Sequence, residues 1–272
     1  MRPGDVASRN FLFRDEFMKI VGVIPARLQS TRLPRKLLLD ATGKPLLQYV
    51  WEIARSCPEL DEVIVAADSP EIVAAVRRFG GRAELTGVHS SGTDRIAEVV
   101  RRCCPDAGVV VNLQGDEPEL DPAVVTALVR ELETSRSQMA TAASPISSVA
   151  VLNDPGCVKV VLDTNGRALY FSRLPIPYVR DARAEDFFRD GEPSPWLLHI
   201  GLYAYRREFL LQLTRMPPSP LEQLEKLEQL RALQSGAAIS VALVDHAAVR
   251  IDTPADYAAF VQRQAVLRRA AA

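Results

Sequence analysis

A strand-like run and a basic loop, I-V-G-V-I-P-A-R-L-Q-S-T-R-L-P-R-K at residues 20–36, hold a dense cluster of cationic side chains. Residues 20–24 are continuously apolar and rich in β-branched types, as in a strand buried on both faces. Behind them come Arg27, Arg32, Arg35 and Lys36, with Ser30 and Thr31 between and Pro25 and Pro34 stiffening the ends. Guanidinium forks bind phosphate oxygens bidentately and an ammonium adds a point charge, so a triphosphate suits this set. Four cations also occur on ordinary solvated loops. Position favours phosphate, because open α/β sheets bind ligands outside the carboxyl ends of their strands, where this loop falls. Neither G-x-x-x-x-G-K-[ST] nor a G-x-G-x-x-G after the first strand is present, so side chains rather than glycine backbone must make the cradle.

Carboxylates supply the second half of the constellation. Asp116, in Q-G-D-E-P, follows a buried apolar run and should stand at the same sheet edge as the basic loop. A basic loop beside a carboxylate points to Mg²⁺ on a triphosphate, since Mg²⁺ takes one or two carboxylates plus phosphate oxygens. In V-R-I-D-T-P-A-D-Y, Thr253 serves as N-cap, Pro254 as first helical residue and Asp256 as the acid three positions after the cap. Asp252 is then left over, either as a second metal ligand or as company for the helix dipole.

Further along, P-L-E-Q-L-E-K-L-E-Q-L-R-A-L reads as one helix over residues 220–234, with leucines at 221, 224, 227, 230 and 233 on a broad arc. Glu228 and Arg231 project from inside that arc, with Glu222, Glu225 and Lys226 opposite. They need partners: each other at i, i+3, or a polyhydroxylated ligand. His199 and Tyr203 share a period-2 face with Gly201 in L-H-I-G-L-Y, where a half-buried, satisfied histidine is the simpler expectation. His89 and His246 carry no spacing signal, and no arrangement supports covalent catalysis.

Alternating elements must position these groups. Helices are expected at 46–56, 70–79, 91–103 and after Asp121-Pro122, and strands at 62–67, 107–113 and 139–143. Such alternation argues an α/β fold, a mostly parallel sheet flanked by helices. Residues 144–205 break the pattern with proline and glycine, strand candidates at 158–162, 168–171 and 197–205, and no convincing helix. They read as an inserted antiparallel or mixed element, with 181–195 a polar loop. Helices at 206–213 and 220–234, a strand at 238–244 and a helix after Pro254 close a single domain spanning 18–272.

The chain has 272 residues, 33 basic and 34 acidic, for a net charge of −1. No global field recruits nucleic acid or an anionic membrane, so a small-molecule partner is expected. No run approaches the ~18 apolar residues of a membrane span, and residues 1–17 lack a signal-peptide core and read as a disordered extension, with Met18 as an alternative start. Four cysteines without metal-ligand spacing fit a reducing cytoplasm.

Taken together, P-A-R-x-x-S-T-R-L-P-x-K at 25–36, S-G-T-D-R-I-A-E-V at 91–99, Q-G-D-E-P at 114–118, Y-F-S-R at 170–173, S-P-L-E at 219–222, L-E-Q-L-R at 227–231 and I-D-T-P at 251–254 resemble the 3-deoxy-manno-octulosonate (KDO) cytidylyltransferases, or CMP-KDO synthetases. The likeness runs from about residue 18 to 264. It implies a nucleotidyltransferase (Rossmann-like) fold with a dimerising insertion, hence a homodimer. It also implies transfer of CMP from CTP to KDO for lipopolysaccharide synthesis. Carried over, Arg27, Ser30, Arg32 and Lys36 hold the triphosphate, Asp116 and Asp252 hold Mg²⁺, and Ser91, Gly92 and Thr93 seat cytidine. Arg173, His199, Tyr203, Glu228 and Arg231 line the sugar-acid pocket. Arg35 stands where the family usually has glycine and Leu37 where it usually has proline. The alternatives are a nucleotidyltransferase for another sugar acid, such as an 8-amino analogue or sialic acid, and a non-catalytic nucleotide-binding relative.

Overall fold

The computed structural model describes residues 18–188, 194–245 and 248–271; the expectations for residues 1–17 and His246 lie outside them. Strands β1 (Lys19–Ala26), β2 (Glu62–Ala67), β3 (Arg82–Leu85) and β4 (Ala107–Asn112) pair in parallel in the order β3-β2-β1-β4. The order reverses between β1 and β4, so the loops leaving them flank a topological switch point, where open α/β sheets place their ligands. β5 (Met139–Pro145) and β9 (Ile239–Leu243) extend the sheet, parallel to each other.

Between β4 and β5 lies β8 (Leu197–Arg206), antiparallel to both. This corrects the expected insertion over 144–205, because 197–205 is a strand of the main sheet and β5 itself runs to Pro145. What remains is a hairpin of β6 (Lys159–Leu162) and β7 (Ala168–Ser172), joined to the amino end of β8 through β6. It carries a short helix, α5 (Val149–Asn153), and a 3₁₀ turn at Ala184–Phe187, where no helix was expected. β3 was also missed, being four residues long with only Ala83 buried.

Alternation along β1 explains the layers. Ile20, Ile24 and Ala26 face one cluster, filled by α1 (Leu46–Ser56), α2 (Pro70–Arg78) and α4 (Pro122–Thr134). Val21 and Val23 face another, filled by α3 (Gly92–Cys103), α6 (Arg207–Leu213) and α8 (Gln229–Gln234). Local chemistry starts the helices where the letters place them: Ser69, Ser91 and Asp121 accept hydrogen bonds as N-caps, and Pro70 and Pro122 occupy first positions.

The helix expected over 220–234 is two. α7 (Pro220–Glu225) stops at Lys226, which is left-handed at φ 55°, and α8 begins after Glu228. Leu224 is consequently 80% exposed, and the five leucines form no single arc.

Candidate active site

A small apolar cluster fixes the site's geometry. Leu33 of the basic loop packs with Leu46 and Tyr49 of α1, with Ile251, and with Phe260 of the last helix, α9 (Pro254–Ala271). Lys36 and Asp252 each lie close in sequence to a member of this cluster. Ile251 also donates its backbone N–H to the Asp116 carbonyl at 3.0 Å, so the loops carrying both carboxylates are tied to each other. Thr253 and Asp256 cap the start of α9 reciprocally: Asp256 N donates to Thr253 Oγ1 at 3.2 Å, and Thr253 N to Asp256 Oδ2 at 2.8 Å. The helix start is thus satisfied without Asp252.

Both carboxylates converge on one cation. The Lys36 ammonium, 8% exposed as a residue, lies 2.6 Å from Asp116 Oδ2 and 3.1 Å from Asp252 Oδ1. Arg32 reaches Asp252 Oδ2 at 3.0 Å. Arg27 is exposed and Ser30 half-buried on the same loop. Arg35 does not join them; it turns outward into a two-pronged ion pair with Glu71 of α2. Its backbone is left-handed at φ 56°, a conformation that favours glycine. Leu37 is buried against Gly115 of the Q-G-D turn.

From this charged mouth a cleft of about 830 Å³ runs over the sheet edge. Ser91, Gly92 and Thr93, at the start of α3, line one wall. Thr93 Oγ1 donates to Glu228 Oε2 at 2.6 Å, joining the expected cytidine turn to the expected sugar pocket. Burial raises the Glu228 carboxyl above its usual range. Arg231 pairs with Glu222, not Glu228, at 2.7 and 2.5 Å, and Glu222 is buried rather than facing away. Arg173 donates to the carbonyls of Glu225, Pro155 and Lys226.

The antiparallel β8 brings His199 and Tyr203 to the carboxyl end of β4, where Tyr203 pairs with Asn112. Buried Thr141 holds the histidine ring in place. Its hydroxyl lies 2.8 Å from the Leu202 carbonyl, 3.0 Å from that of Ile200 and 3.0 Å from His199 Nε2. Burial, with the charge of Arg250 second, pushes the His199 pKa down to about 3, so the ring is neutral at physiological pH.

The letters did not mark Glu117, Thr141 or Arg250 as site residues. Glu117 is almost fully buried beside Asp116, and burial raises its pKa to about 7. Arg250 lies 3.5 Å from Glu117 Oε1 and 3.9 Å from Asp116 Oδ1. The V-R-I-D spelling held the one available signal, a cation two residues before the spare carboxylate.

The cytidylyltransferase family profile matches residues 21–239. The chain is 49% identical over 248 residues to the 3-deoxy-manno-octulosonate cytidylyltransferase of Rhodopirellula baltica, covering 90% of this chain and 98% of that protein. It is also 49% identical over 247 residues to the Syntrophobacter fumaroxidans protein of that name, with 90% and 96% covered. Among solved structures it is similar to CMP:2-keto-3-deoxy-manno-octonic acid synthetase complexed with CTP, at TM-score 0.81 and 41% identity over 92% of this chain and 99% of that one. A 4-diphosphocytidyl-2C-methyl-D-erythritol synthase from Anaerococcus prevotii, 13% identical at TM-score 0.59 with 93% and 97% covered, shares the fold. The chain belongs to the family of the 3-deoxy-manno-octulosonate cytidylyltransferases.

Proposed function

We propose that this chain transfers the cytidylyl group of CTP to the C2 hydroxyl of KDO, activating the sugar acid for lipopolysaccharide synthesis. The observation that carries this reading is the convergence of Asp116 and Asp252 on the Lys36 ammonium at one mouth of a cleft whose far wall is His199, Tyr203 and Glu228. The C2 oxygen attacks the α-phosphorus, the bond to the β-phosphate oxygen breaks, and pyrophosphate leaves with that electron pair while the hydroxyl proton passes to solvent. Lys36, Arg27, Arg32 and Ser30 hold the triphosphate and offset the charge growing on the leaving group. Ser91, Gly92 and Thr93 seat cytidine. Arg173, His199, Tyr203, Glu228 and Arg231 shape the sugar end, with the His199 ring neutral.

The donor set fits Mg²⁺. Asp116 and Asp252 already share one cation, and Asp116 Oδ1 is buried with no hydrogen-bond partner among the described residues. No group of three or more candidate metal-binding side chains occurs among those residues, which suits an ion completed by phosphate oxygens. Asp116 and Asp252 would hold it, and when bound it would supply charge stabilisation at the α-phosphate and acidify the attacking hydroxyl.

The working form we infer is a cytoplasmic homodimer. Among the described residues, no helix is long and apolar enough to cross a membrane. Leu169, Leu174 and Tyr178 lie exposed around the β6–β7 hairpin, where a second copy would cover them. Sedimentation at micromolar concentration should give twice the 29.9 kDa chain mass; a single-chain particle contradicts it. The activity is tested by product analysis with CTP or UTP against KDO, its 8-amino analogue and sialic acid. CTP with KDO should give CMP-sugar and pyrophosphate one to one, and faster turnover of any other pair overturns the substrate assignment.

A further inference from the structure

Among the described residues, four arginines line the cleft: Arg32, Arg173, Arg231 and Arg250. Arg173 has its three guanidinium nitrogens on backbone carbonyls. Arg231 is spent on Glu222 and on the carbonyls of Leu213 and Met216. Arg32 belongs to the phosphate loop and pairs with Asp252. Arg250 is different. Its contacts, 3.9 Å to Asp116 Oδ1 and 3.5 Å to Glu117 Oε1, are longer than the ~2.7–2.9 Å of a charge-assisted hydrogen bond. The guanidinium therefore retains donors toward the cleft. Across from it stands Gly201, where an added Cβ would come within 3.3 Å of Arg250 Nη2, so the missing side chain leaves the guanidinium its room.

The acceptor's own structure says what this cation faces. In a 2-ulosonic acid the carboxylate carbon is bonded directly to C2, the carbon bearing the attacking hydroxyl. With that hydroxyl near Asp116 and Asp252, the substrate carboxylate arrives beside protein carboxylates, where a cation not already shared by that pair stabilises it. His199 does not supply one, since its ring is neutral and its Nε2 lies against the Thr141 hydroxyl at 3.0 Å.

We propose that Arg250 binds the C1 carboxylate of the acceptor, so selecting 2-keto sugar acids over neutral sugars and orienting the C2 hydroxyl toward the α-phosphate. This rests on the cytidylyl-transfer reading above.

The test is steady-state kinetics of the full chain, Arg250→Gln and Arg250→Lys, at saturating CTP, with KDO and with its C1 carboxamide. Arg250→Gln should raise KM for KDO about 10- to 100-fold, the scale of a lost hydrogen bond to a charged group. KM for CTP should stay within about twofold, and preference for the acid over the amide should fall by the same factor as KM rises. Arg250→Lys should recover part of that preference. An unchanged KM for KDO overturns the proposal, as does an equal loss on acid and amide, which would mark a merely structural residue. A rise in KM for CTP instead would make Arg250 a nucleotide contact and overturn it too. A wild-type chain that forms no CMP-KDO overturns the parent reading and this one together, whereas an active wild type with an indifferent Arg250→Gln overturns this one alone.

Discussion

At the scale of single residues, the basic loop shows how far letters go. Residue types and spacing were enough to place Lys36, Arg32, Asp116 and Asp252 at one sheet edge, and in the structure they meet. Arg35 could not be separated from its neighbours by charge alone, because its partner Glu71 lies 36 positions away. Replacing it by glycine relieves a left-handed backbone costing about 1 kcal/mol and removes an exposed ion pair contributing up to about 1 kcal/mol. Arg35→Gly should therefore unfold within about 1 kcal/mol of the wild type and bind CTP unchanged, while Arg35→Ala, which keeps the strain and loses the pair, should be the less stable. Denaturant titration and calorimetry decide it, and a clear loss of CTP affinity in Arg35→Gly would return the guanidinium to the phosphate site. His199 gives a second residue-scale outcome. Its folded pKa, about 3, lies below the ordinary 6.5, so the unfolded chain binds the proton first. Its contribution is complete above pH 6.5 and is lost as pH falls toward 3. Between pH 6.5 and 5 the wild type should lose up to about 2 kcal/mol more stability than His199→Gln. Equal losses in the two would mean that the ring is protonated in the fold.

Elements were legible where a local rule ends them and illegible where distant contacts do. The capped starts of α2, α3, α4 and α9 follow from Ser, Thr or Asp with neighbouring proline or acid, and the structure keeps them. The segment 220–234 kept its leucine spacing straight through a break, because Lys226 is neither glycine nor proline and so announces no stop. Lys226→Gly should stabilise the chain by up to about 1 kcal/mol by suiting the left-handed C-cap. A destabilised variant in thermal unfolding would show instead that the lysine side chain holds the α7–α8 corner. β8 was found as a strand but assigned to the wrong place. Its alternation of buried and half-buried residues satisfies any two-sided pairing, and only the tertiary fold selects β4 and β5 as its neighbours. Arg250 escaped for the same reason: Glu117 is 133 positions away.

Over the whole molecule, the carboxyl ends of β1, β4 and β9 and the amino half of β8 meet at one edge, which puts the basic loop, the carboxylate pair and the His199–Tyr203 wall around a single cleft. The family and the α/β class could be recognised from seven short blocks because six of those blocks contribute residues to that cleft. The size of the insertion could not, since it depends on which strands β8 pairs with. The central claim is that Asp116 and Asp252 act as one catalytic cation site for cytidylyl transfer. It is tested most directly by the turnover of Asp252→Asn with CTP and KDO at saturating Mg²⁺, alongside its unfolding midpoint. Removing a charge that acts chiefly in the transition state costs about 3 to 5 kcal/mol, so turnover should fall at least about 100-fold with the midpoint nearly unchanged. Turnover within about tenfold of the wild type would contradict the claim and leave Asp252 a carboxylate beside a helix that already has its cap.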